Sequence, residues 1–200
     1  MSPRVLLALV LVGASGCSLF KTDPSFSPDE LPDLAPRQSE VPTPLAVHED
    51  HSGYLSPGVA EGDPPPDQPV RLDLEFEVYA YRALFTQPEL VDVFRIPDDT
   101  PQIVWHASWY TGSDAASRGF EEHMGPLHPP GFAGDPIAVS WLGSEAGRFE
   151  EPPNDEYPLR GDYIVWRRDN VVFSLLSQGI PFEQVMSAAY RVDQRVATQD

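Results

Sequence analysis

The chain has one cysteine, Cys17, and one lysine, Lys21, in 200 residues. A lone cysteine excludes an intrachain disulfide and a cysteine-cluster metal site. Bases are scarce altogether: 13 Lys and Arg stand against 31 Asp and Glu, a formal charge of −18. That balance excludes a nucleic-acid partner, whose binding rests on basic side chains neutralising phosphates. It also opposes direct adsorption on anionic headgroups. Signatures of chemistry are few. There is no Gly-x-Ser-x-Gly elbow, no phosphate-cradling Gly-rich loop and no EF-hand calcium pattern. What the chain has in excess is proline, 23 residues, more than double the usual share of about 5%.

The N-terminus carries a readable signal. Arg4 precedes the apolar run Val5–Val12, and small residues, Gly13-Ala14-Ser15-Gly16, lead to Cys17. A short basic start, a brief apolar run and small residues make a secretory signal. Eight residues of helix cover only about 12 Å of a roughly 30 Å hydrocarbon core, so the run is too short to span a bilayer. Ala14-Ser15-Gly16-Cys17 resembles the lipobox of bacterial lipoproteins, with Ala14 where that family usually has Leu. The resemblance implies cleavage before Cys17, a diacylglycerol thioether on its thiol and an acyl chain on the new amine. Two or more acyl chains make a stable anchor, where one is marginal. Ser18, in place of Asp, implies sorting to the outer membrane. The same residues also fit an ordinary signal peptide with a cysteine near its cleavage site. No cofactor is implied besides the covalent lipid.

Residues 18–70 hold 11 prolines, 10 acids and 2 bases, without apolar periodicity. Such composition favours extended polyproline-like chain and buries little apolar surface. The expectation is a signal peptide over 1–16, a lipidated Cys17 with a disordered tether over 17–70, and a globular domain over 71–200. A flexible chain of this length reaches on the order of 40 Å. His48-Glu49-Asp50-His51 offers metal-ligating types, yet reads better as solvated tether.

Beyond Val70 apolar residues alternate. Leu72 to Ala80 reads as a strand, Val91–Ile96 as a second, Ile103–Tyr110 as a third and Ile137–Leu142 as a fourth. Asp162–Leu176 reads as a hairpin turning at Asp169-Asn170, pairing Arg168 with Val171, Trp166 with Phe173 and Ile164 with Leu175. Ser113-Asp114 caps a helix over Ala115–Met124, which Gly119 weakens. Glu145–Gly161 reads as loop. Pro181 opens an amphipathic closing helix carrying Phe182, Val185, Met186, Ala189, Val192 or Asp193, and Val196 inward. The fold class is α+β: a mainly antiparallel sheet of five to six strands with two helices, the last packed on the sheet.

Three groups of residues are candidates for chemistry. Glu121, Glu122, His123 and His128 could hold a divalent metal or serve as acid and base. Their spacing across a Gly-Pro turn matches no recognised ligand pattern, and a solvated helix end explains them more simply. Trp105 and Trp109, with Trp141 and Trp166, could form a ligand platform, although their phase favours core; His106 falls on the opposite face. Arg167 and Arg168 could clamp a carboxylate or phosphate, or pair with the chain's own acids. The preferred reading is a lipid-anchored, non-enzymatic envelope protein whose tethered domain binds or assembles with an envelope partner. The alternative is an exported hydrolase or metal-handling protein using Glu121, Glu122, His123 and His128.

Overall fold

The computed structural model describes residues 26–57, 65–73, 78–91, 96–97, 99–125, 132, 135–153 and 159–199. In chain order these contain α1 (Leu31–Leu34), β1 (Ala46–Val47), β2 (Gly53–Tyr54), β3 (Arg71–Asp73), β4 (Val78–Thr86), β5 (Gln102–Trp109), α2 (Ser113–His123), β6 (Ile137–Ala138), β7 (Glu145–Glu151), β8 (Gly161–Arg168), β9 (Val171–Gln178) and α3 (Phe182–Val196). Among the described residues the strands form one antiparallel sheet in the order β1-β4-β5-β9-β8-β7-β6, with β2 and β3 following β1 along the same edge of β4.

The hairpin β8–β9 lies within the sheet, with the pairings its alternation predicts: Arg168 with Val171, Trp166 with Phe173, Ile164 with Leu175. Only Asp169 of the turn has positive φ, 42°. A type I′ turn needs both central residues there, so the connection is of another kind. Alternation along β5, β8 and β9 then builds two cores. Trp105, Trp166 and Phe173 stack on one sheet face beneath Val185, Met186, Ala189, Val192 and Val196 of α3. On the other face Tyr163, Val165 and Val172 meet Ala116 of α2 with Phe132 and Phe149. Gly119 has a packing reason: a Cβ at that position would collide with the Tyr110 ring. The helix carrying it begins at Ser113, with Gly112 as its cap residue and no side-chain capping bond.

Several expectations need correction. Among the described residues the sheet has nine strands and three α-helices accompany it. Glu145–Glu151 is a strand paired along its length with β8. Its inward side chains include Arg148, held by a buried carboxylate, so apolar alternation gives no hint of it. Ile137–Leu142 contributes only two strand residues, Ile137 and Ala138, both exposed. The expected single strand Leu72–Ala80 is divided: β3 and β4 pair antiparallel with each other, residues 74–77 lie outside the described residues, and β4 runs on to Thr86. Val91–Ile96 lies mostly outside the described residues, and Val91 itself is in a turn.

The largest correction concerns the disordered tether. Residues 26–57 pack on the sheet: Phe26, Leu31, Leu34, Val41, Leu45 and Tyr54 belong to the α3-side core. Prolines sit where they fit, Pro28 and Pro32 in the first turns of short helices. The backbone groups that a proline-rich chain leaves unpaired find partners far along the chain. Asn170 receives the Phe26 N–H on Oδ1 (3.0 Å) and donates from Nδ2 to the Phe26 carbonyl (2.8 Å). Trp109 Nε1 donates to the same carbonyl. Arg195 donates to the Asp33, Leu34 and Ala35 carbonyls at the end of α1 and pairs with Glu40 at 2.8 Å. His48 is buried against β4, its N–H donating to the Leu84 carbonyl, and is not solvated tether. Residues 17–25 and 58–64 lie outside the described residues.

Candidate functional site

The two sheet faces separate the residues that the sequence singles out. Trp105 is fully buried, edge-on to Trp166 at 5.0 Å between ring centroids. It is core and lines no platform. Trp109 is half-buried, and its indole N–H is spent on Phe26. Trp141 is the exposed one, at 46%, edge-on to Tyr190. Arg167 and Arg168 point to opposite faces. Arg167 Nε pairs with Glu145 (2.6 Å), and its Nη1 donates to Ser113 Oγ and the Asp169 carbonyl. Arg168 makes a bidentate pair with the fully buried Asp193, at 2.6 and 2.7 Å. Both guanidiniums therefore serve the fold.

The acidic-histidine group is not assembled among the described residues. Glu121 and Glu122 are exposed on α2 while His123 turns to the sheet, and His128 lies outside the described residues. No three His, Cys, Asp or Glu side chains among the described residues could share a metal ion. Cys17 also lies outside them.

His123 joins a network that sequence reasoning missed. Its Nδ1 stands 2.8 Å from Tyr163 Oη, and Tyr163 also hydrogen-bonds Ser174. Across the strands Arg82, His106 and Ser174 face one another in register. Burial, aided by the Arg82 and His123 charges, pushes His106 down to about 4. Burial also lowers His123. Burial pushes the Tyr163 and Tyr110 phenols up to about 12, Glu122 adding to the effect at Tyr110. At neutral pH the imidazoles are uncharged and the phenols protonated. The network fixes hydrogen bonds under α2. Its only sequence signal is the placement of His106 opposite the tryptophans.

Open concave surface lies elsewhere, including where the N-terminal segment crosses the β4 edge. Pro28, Asp29, Pro32, Tyr54, Asp67 and Tyr79 border a hollow of about 730 Å³. A second, of about 390 Å³, shares Pro32, Tyr54 and Asp67 with it and adds Glu49, Asp50 and Tyr81. A third, of about 290 Å³, continues past Pro32 and Tyr81 to Asp33, Arg37 and Phe85. Tyr54 and Tyr81 meet edge-on at 5.4 Å, and Tyr79 leans on Trp109 at 5.7 Å. Gly53 lets the chain at Pro65 close over β2, since a Cβ there would strike the Pro65 ring. Burial and the neighbouring Asp29 and Asp33 carboxylates raise the Tyr54 phenol above its ordinary range. Sequence reasoning missed this surface because most of it comes from the segment read as tether.

No family model matches the chain, and no curated protein does. In fold it is similar to the extracellular domain of PknH from Mycobacterium tuberculosis, with a TM-score of 0.53 over 88% of this chain and 100% of that one. Sequence identity is 10%, so the likeness is one of fold.

Proposed function

We propose that the chain is exported, anchored through a lipid on Cys17, and carries a non-catalytic binding or assembly domain in the cell envelope. The observation that carries this reading is a lipobox-like run ending in Cys17, nine residues before the first described core side chain, Phe26. Two further observations support it. No helix among the described residues is long and apolar enough to cross a membrane. The similar solved structure is itself described as an extracellular domain. The membrane is then reached through the acyl chains, and the partner is an envelope protein. Ser18 favours the outer membrane as the site of the anchor.

Docking of residues 26–57 changes how the anchor would work. Nine residues span at most about 30 Å, so the leash is shorter than the 53-residue tether implies. Phe26, the first described residue, lies beside the Asp169-Asn170 turn, and that end of the sheet would face the membrane. Mass spectrometry of the mature N-terminus tests the reading. The expected species begins at Cys17 and carries diacylglycerol plus an N-acyl chain, and Cys17→Ser removes both. An unmodified Cys17, or cleavage elsewhere, overturns it. Crosslinking of the lipidated protein in cells should recover a reproducible envelope partner.

A further inference from the structure

We propose that the tyrosine-lined groove between the N-terminal segment and the β4 edge binds a cationic peptide segment rich in arginine. The groove is continuous, because its three hollows share Pro32, and adjoining pairs share Tyr54, Asp67 and Tyr81. A run of hollows suits an extended chain better than one compact molecule. Aromatic and proline surfaces supply flat apolar contact at low entropic cost.

Charge selects the occupant. Asp29, Asp33, Glu49, Asp50 and Asp67 line the groove, are exposed, and enter no ion pair among the described residues. The two larger hollows have no Lys or Arg in their lining. Burial first, and the Asp29 and Asp33 carboxylates after it, raise the Tyr54 phenol. An arginine side chain can place its guanidinium plane on a tyrosine ring and still donate to an adjacent carboxylate. An acidic or neutral peptide would meet the same carboxylates without compensation. Four other acids, Glu40, Glu145, Asp162 and Asp193, are tied into the fold by ion pairs. The groove acids are not.

The inference deepens the reading of a binding domain and is independent of lipidation at Cys17. The test titrates the full chain in mild detergent with hexa-arginine and with a neutral hexaglutamine control, by calorimetry at moderate salt. Hexa-arginine should bind and hexaglutamine should not. Asp29→Asn/Asp67→Asn removes two exposed, unpaired carboxylates and should weaken binding at least tenfold. Glu89→Gln/Glu183→Gln removes the same charge elsewhere and should change it less than threefold. Tyr79→Leu should weaken hexa-arginine binding with the melting temperature as a check on folding. No preference for hexa-arginine overturns the proposal. Equal losses for the two double variants also overturn it, since binding would then follow net charge alone. None of these readouts depends on the mass of the N-terminus, so the anchor and the groove fail separately.

Discussion

Asp193 sits on the inward face of α3, fully buried, and accepts two hydrogen bonds from Arg168 and one from the Gly143 N–H. A charge so placed is tolerable only while paired. Asp193→Ala strands the Arg168 guanidinium and is expected to cost about 3–5 kcal/mol, read as a lowered urea midpoint. A midpoint shift under 1 kcal/mol would contradict a buried pair. Gly119 is a second residue-scale case. It costs helix propensity, yet the Tyr110 ring occupies the space of its missing Cβ. Gly119→Ala should therefore destabilise by about 1–3 kcal/mol through overpacking, where an exposed helix position would gain stability. Thermal unfolding distinguishes the two signs. The sequence made the helix and its C-terminal end legible and left this reason hidden, because the tyrosine comes from outside the helix.

At the scale of elements, the N-terminal segment is held by single side chains. Arg195 of α3 caps the carbonyl end of α1, where the orphan C=O groups need donors. Asn170 pairs with Phe26 as a strand neighbour would. Arg195→Met leaves α3 and its stem contacts in place and removes the donors. Hydrogen exchange at Leu31–Leu34 is expected to quicken at least tenfold while β8 and β9 keep their protection. Uniform quickening across the sheet would show that the segment and the sheet open as one unit. β7 illustrates a different failure of sequence reading. Arg148 lies buried on it between Asp162 (2.8 Å) and the Phe182 ring (3.4 Å). A strand stabilised by a buried ion pair and a cation–π contact has no apolar alternation to reveal it.

Across the whole molecule, acid sensitivity follows from the histidines beneath α2. The folded state holds His106 near 4, against about 6.5 in an unfolded chain. As pH falls below 6.5 the unfolded state takes a proton that the folded state refuses, so stability declines until about pH 4 and levels off below it. The shift corresponds to a loss on the order of 3 kcal/mol over that window. His123, lowered by burial, acts in the same direction. Urea midpoints at pH 7.5, 6 and 5 should fall steadily, and His106→Gln should flatten the slope. An unchanged slope in that variant would assign the pH dependence to other groups.

Patterns local to the chain determined the closing helix, the hairpin register and the antiparallel α+β class. Periodicity and turn residues are properties of neighbouring residues, and they survive without knowledge of the rest. The tertiary structure decided what depends on partners outside the segment itself, 14 residues away for Arg148 and Asp162 and 160 for Ala35 and Arg195. A proline-rich acidic segment became part of the core because Asn170, Trp109 and Arg195 satisfy its backbone. An arginine-bearing stretch became a strand because Asp162 waits opposite it. Composition counts what a segment lacks, and those distant donors and acceptors supply it.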